Sequence, residues 1–125
     1  MDKFNLQFEL PGLPKRINQG HGSHWKARFG EAKKWERQVF LATLGKKPPQ
    51  PLKRCRLKLT RFSSVAPDFD GLVYSFKPVV DALRKLGVIE NDSMAHIGRP
   101  DYRWEKAKPG AGRVRVEIVE VDELP

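Results

Sequence analysis

The sequence predicts an α+β fold, a mixed sheet of about four strands covered on one face by two helices, in the order β-α-β-α-β-β. Three observations predict it: period-two alternation near both ends of the chain, two apolar stripes at helical spacing, and Pro/Gly-rich segments between them. With 125 residues, 39% of them apolar, the chain is long enough for a single core and reads as one domain over residues 1–125. Its mean hydropathy of -0.57 is that of a globular protein in water. No apolar run approaches the roughly 20 residues of a spanning helix. The opening MDKFNLQFEL alternates where a signal peptide has a continuous apolar stretch, so the expectation is a cytoplasmic protein with no membrane partner.

Phe4, Leu6, Phe8 and Leu10 alternate with polar residues and give the first strand. The Pro/Gly-rich PGLPKRINQGHGSH that follows is loop. His21 and His24 lie in it without a third ligand nearby, which disfavours zinc. In EAKKWERQVFLATL, residues 31–44, Ala32, Trp35, Val39 and Ala42 form one helical stripe, with Lys33, Lys34 and Arg37 on the outside. Trp25 and Phe29 continue the stripe backward, whereas Gly30 argues for a boundary, and Gly45 marks the end.

Residues 52–62 place Cys55, Leu57 and Leu59 on one side of a strand and Arg54, Arg56, Lys58 and Thr60 on a cationic other side. Cys55 is the single cysteine, so no intrachain disulfide is possible, and it reads as a buried strand residue. Val79, Val80, Ala82, Leu83 and Leu86 predict a helix over 77–86 with Pro78 in its first turn, residues 71–76 as a turn leading in, and Gly87 closing it. Two strands, about 95–104 and 113–121, follow. The loop KAKPGAG suits a hairpin between them.

The formal charge is +9, and it is unevenly placed. Residues 15–61 hold fourteen Lys/Arg and two acids, a balance of +12, while the rest is acidic by 3. Such a field suits a polyanion, and nucleic acid is the obvious partner because each neutralised phosphate releases counterion. Lys15, Arg16, Lys26, Arg28, Lys33, Lys34 and Arg37 are the candidate phosphate contacts.

Against this field stand Asp68 and Asp70 in PDFDG. At the extended end of the strand preceding the second helix, residues two apart point the same way, with carboxylates about 7 Å apart. Two such anions resist joint ionisation, and a hard cation such as Mg²⁺ or Mn²⁺ removes the conflict. Lys77 and Asp81 are four apart on one helix face, and Asp92 follows in the loop after Gly87. Each has an ordinary structural reading: a cap, an exposed ion pair, the start of a turn. Three carboxylates and a lysine at one sheet end, in a chain with a strongly basic segment, match what metal-assisted phosphodiester hydrolysis requires.

These residues carry a resemblance. DFDGLVYSFKPVVDALRKLGVIENDS resembles the core signature of RusA-type Holliday-junction resolvases, in which D-x-D-N is followed by a lysine, by D-A-L, and by an acidic pair in a loop. LPGLPKRIN, the Trp-containing basic helix and the terminal hairpin sit where similar, often phage-encoded, members have them. The resemblance implies a homodimeric, Mg²⁺-dependent endodeoxyribonuclease that binds four-way DNA junctions and nicks two strands symmetrically. It implies Asp68, Asp70 and Asp92 as metal ligands, Lys77 as the catalytic lysine and Asp81 in support. Gly71 stands where the family has Asn, and Asn91 where it has the first acid of the loop pair, which implies weaker metal affinity or lower activity. The other readings are a nucleic-acid-binding protein without catalysis, and a metal-dependent nuclease for flapped DNA or RNA.

Overall fold

The computed structural model describes residues 3–15 and 25–124. Strands β1 (Asn5–Pro11), β2 (Cys55–Ser63), β3 (Asp101–Lys106) and β4 (Arg113–Glu120) form one mixed sheet in the order β1-β4-β2-β3. β4 runs antiparallel to both β1 and β2, and β2 runs parallel to β3. The helices are α1 (Trp25–Ala42), α2 (Phe69–Ser75), α3 (Lys77–Lys85) and the short α4 (Met94–Ile97).

The alternation in β1 is realised directly. Leu6, Phe8 and Leu10 are opposite Ile118, Val116 and Val114, which continue across the sheet to Leu57, Leu59 and Arg61. Trp35 and Val39 of α1 and Val79, Val80, Ala82 and Leu83 of α3 are buried in the same cluster as this sheet face. α1 packs against α3 and β1, so the two longer helices form one layer against the sheet, the arrangement that buries a one-sided sheet and two apolar stripes together.

Four local expectations are corrected. Gly30 does not bound α1, which runs through it from Trp25. A glycine in a helix interior costs only about 1 kcal/mol relative to alanine, too little to end an 18-residue helix. Residues 71–75 are helical rather than a lead-in turn, because Asp68 caps α2, and only Phe76 keeps a turn before α3. Residues 95–97 belong to α4, and the strand begins only at Asp101, after Gly98 with φ +60° reverses the chain. No hairpin joins the last two strands. β2 is inserted between β3 and β4, so the KAKPGAG loop crosses over it.

On its other face the sheet carries Arg56, Lys58, Arg103, Arg113 and Arg115 together with almost as many acids: Glu9, Asp101, Glu105 and Glu117. Thr60, expected outward, shares this side but is buried between Arg103 and Arg115 in the register. Glu9 accepts from both Arg113 and Arg115 at 2.9–3.2 Å, and the two guanidiniums lie over the Phe62 ring at 4.1 and 4.9 Å. This face is therefore internally neutralised rather than cationic. Among the described residues no helix is long and apolar enough to cross a membrane.

Candidate active site

The crossover from β2 to its parallel neighbour β3 contains every acidic residue singled out in the sequence. A parallel pair needs such a crossover, and here it is built of α2, α3, α4 and their loops.

Asp68 is the N-cap of α2. Its backbone is extended, with φ -73° and ψ 166°, and its Oδ1 accepts from the Gly71 amide at 3.0 Å. A cap must leave helical geometry while offering an oxygen to the first free amides, and a short acidic side chain does both. Asp70 lies in the first turn of the same helix, where the exposed amides favour a negative charge. The two carboxylates thus do not project together from a strand end. Asp68 turns back onto its own helix, and both remain exposed to solvent.

Lys77 opens α3, and its Nζ is 3.3 Å from Asp81 Oδ1 and 3.8 Å from Asp92 Oδ2. The first contact follows from i,i+4 spacing on a helix. The second is tertiary, because Asp92 arrives in the loop after Gly87, whose φ of +79° turns the chain out of α3. That loop is held at its base by β-bridge hydrogen bonds, Leu52 N to Val88 O and Glu90 N to Leu52 O, both 2.9 Å. Asn91 Oδ1 accepts from the Asp92 amide at 2.7 Å, so its amide oxygen is directed to the backbone. Beyond it, Ser93 Oγ lies 2.8 Å from His96 Nδ1 and His96 Nε2 lies 4.0 Å from Glu90 Oε1.

The structure therefore brings together Lys77, Asp81 and Asp92 but does not gather Asp68, Asp70 and Asp92 into one cluster. Among the described residues no three His, Cys, Asp or Glu side chains form a group that could hold a metal ion. An aromatic chain links the two acidic parts: Tyr102 on β3 packs against Phe69 at 6.2 Å and against the fully buried Phe76 at 6.1 Å. Phe69 is the residue between the two aspartates and Phe76 the residue before Lys77. Burial pushes the Tyr102 phenol up from its ordinary range. Neither Phe69 nor Tyr102 stands out as a site residue in the sequence. An apolar residue between two acids was the available signal for Phe69, whereas the place of Tyr102 depends on the β2–β3 register.

Of the basic residues, Lys33, Lys34 and Arg37 are exposed along α1, and the Lys34 ammonium lies 5.3 Å from the Trp35 ring centre. The Lys15 amide donates to Glu31 Oε1 at 3.1 Å, and the same oxygen accepts from Trp35 Nε1 at 2.9 Å, which ties the start of the basic segment to α1. Arg61, on the core side of β2, donates to the Pro14 carbonyl at 2.7 Å and fixes that same start from the sheet. Arg16, His21 and His24 lie outside the described residues. So do the side chains of Lys26 and Arg28, whose backbone belongs to α1.

Asp68, Asp70 and Asp92 are each hard oxygen donors of the kind Mg²⁺ and Mn²⁺ take and each is reachable from solvent, but the described residues do not bring the three to one point. A scan against protein-family models finds no match for the chain, and a search of curated proteins finds none either.

Proposed function

We propose that this chain is a Mg²⁺-dependent, structure-selective endodeoxyribonuclease of the RusA type. In this reading a homodimer resolves four-way DNA junctions by paired symmetric nicks, in recombination and repair in the cytoplasm. The observation that carries it is the Lys77 ammonium, held between Asp81 and Asp92 on the crossover that also carries Asp68 and Asp70.

Exposed cations on α1, namely Lys33, Lys34 and Arg37, hold the sugar-phosphate backbone without reading bases. Asp68, Asp70 and Asp92 are the residues that would hold the cation, which when bound supplies a Lewis acid and an activated water. Lys77 faces charge that develops on the phosphoryl oxygens, and Asp81 keeps its ammonium in place. Two copies related by a two-fold axis match the pseudo-two-fold symmetry of a junction.

The second reading, a nucleic-acid-binding protein without catalysis, rests on the exposed cations of α1, which need no carboxylates to hold a phosphate backbone. The discriminating experiment incubates labelled four-way junction, flapped DNA, linear duplex and single-stranded RNA with the protein in Mg²⁺, Mn²⁺ or chelator. The nuclease reading expects metal-dependent cleavage with the junction preferred. Binding without cleavage in every lane leaves the second reading, and duplex cut as fast as junction removes the resolvase assignment.

A further inference from the structure

Phe69 is a large apolar side chain that is 65% exposed, although the fold offers a core close by. Single exposed apolar residues are common on protein surfaces and need no function by themselves. Phe69 differs from them in how it is held. Its ring meets that of Tyr102 in a T-shaped contact, 6.2 Å between centroids and 89° between planes, and Tyr102 is itself braced against the buried Phe76. The ring therefore has a preferred orientation on the surface instead of lying flat over its neighbours. Its backbone is fixed as well, as the first residue of α2 directly after the Asp68 cap.

The charges around the ring narrow what it can touch. Asp68 and Asp70 precede and follow it in the chain and both are exposed, so a DNA phosphate brought to this part of the surface meets two negative charges. An uncharged base with a π-face meets no such repulsion, and stacking on an aromatic side chain is how proteins take up bases that have left the helical stack. In continuous duplex both faces of every base are already covered. At a branch point, a flap or a gap they are not.

Resting on the nuclease reading, we infer that Phe69 stacks on an unpaired or unstacked base beside the phosphate to be cut, and so selects DNA with exposed bases over continuous duplex. Phe69 is then a specificity-determining residue, and Tyr102 positions its ring.

The test uses the full chain with DNA carrying 2-aminopurine either at the branch point of a four-way junction or within a linear duplex. Fluorescence and affinity are measured in chelator, where no cleavage occurs. The wild type and Phe69→Trp are expected to quench the branch-point probe, whereas Phe69→Leu and Phe69→Ala lose the quench and bind the junction about tenfold to a hundredfold more weakly. Affinity for duplex stays the same in all four proteins. Because the side chain is largely exposed, all four should melt at nearly the same temperature. Junction affinity and quench in Phe69→Leu equal to wild type overturn the inference, as does an equal loss on duplex. A persistent quench without cleavage in Mg²⁺ or Mn²⁺ supports the stacking contact and removes the nuclease reading, so the two failures are distinguishable.

Discussion

The ammonium of Lys77 lies 3.8 Å from Oδ2 of Asp92, joining the first residue of α3 to the loop that leaves its far end. The side chain of Lys77 is 66% exposed and that of Asp92 28%, so water screens the pair and its worth to folding is at most about 1 kcal/mol. In the proposed function the ammonium instead acts on a bound phosphate. Lys77→Met is expected to shift the melting temperature by no more than a few degrees and to slow junction cleavage by about a hundredfold or more. Thermal melts beside single-turnover rates check this. A rate within twofold of wild type would remove Lys77 from the chemistry.

Asp68 caps α2, and in the proposed function it also holds the cation; substitutions separate the two. Asn retains an oxygen able to accept from the Gly71 amide, so Asp68→Asn should keep stability within a few tenths of a kcal/mol while abolishing metal-dependent cleavage. Asp68→Ala removes the cap as well and is expected to cost about 1 kcal/mol. Urea unfolding of both variants, with cleavage assays alongside, reads the two effects independently.

Much of the fold was legible because its decisive residues are periodic. Leu6, Phe8 and Leu10, then Trp35 and Val39, then Val79, Val80 and Leu83 all occupy the core that their spacing indicates. What the sequence hid depended on non-local choices. The β3–β4 loop reads as a hairpin because Pro and Gly permit one, yet β2 takes the place between the two strands, and no local signal records such an insertion. α2 was hidden by Gly71, Val73 and Tyr74, which are poor helix formers, and the Asp68 cap and tertiary packing override them. For the same reason the site was only partly legible. The Lys77–Asp81 pair follows from helical spacing and its meeting with Asp92 was expected from the loop, whereas the placing of Asp68 and Asp70 failed with the strand-end geometry assumed for them.

The exposed face of α1 should report itself through salt. Each of Lys34→Ala and Arg37→Ala removes one cation capable of neutralising a phosphate, so each should lower the slope of log K against log salt by about 1 and weaken junction and duplex binding alike. Titrations at several salt concentrations measure the slope. An unchanged slope in the double variant would move the DNA to another surface.

Cys55 supplies a pH signature of the fold. Burial, with a smaller contribution from Glu120, pushes its thiol up from 9.0 to about 11. Below about pH 9 the thiol is protonated in both the folded and unfolded chain, and its contribution to stability is fully present. As pH rises toward about 11 the unfolded thiol ionises first, and that contribution is lost. Cys55→Ala, although it leaves a small cavity, should flatten this part of the stability profile. Thiol-reactive dye at pH 8 should label the native protein slowly and the urea-unfolded protein at once, since Cys55 is fully buried.

In the proposed function Asp70 and its neighbours make this basic protein a metal-dependent junction nuclease, which is decided by incubating end-labelled four-way junction with wild type and with Asp70→Asn, in Mg²⁺ and in chelator. The expected result is symmetric nicks on two opposed strands from the wild type in Mg²⁺ only, with Asp70→Asn binding the junction equally well and cutting nothing. Cutting by Asp70→Asn at the wild-type rate, or intact junction in every lane despite tight binding, would contradict it.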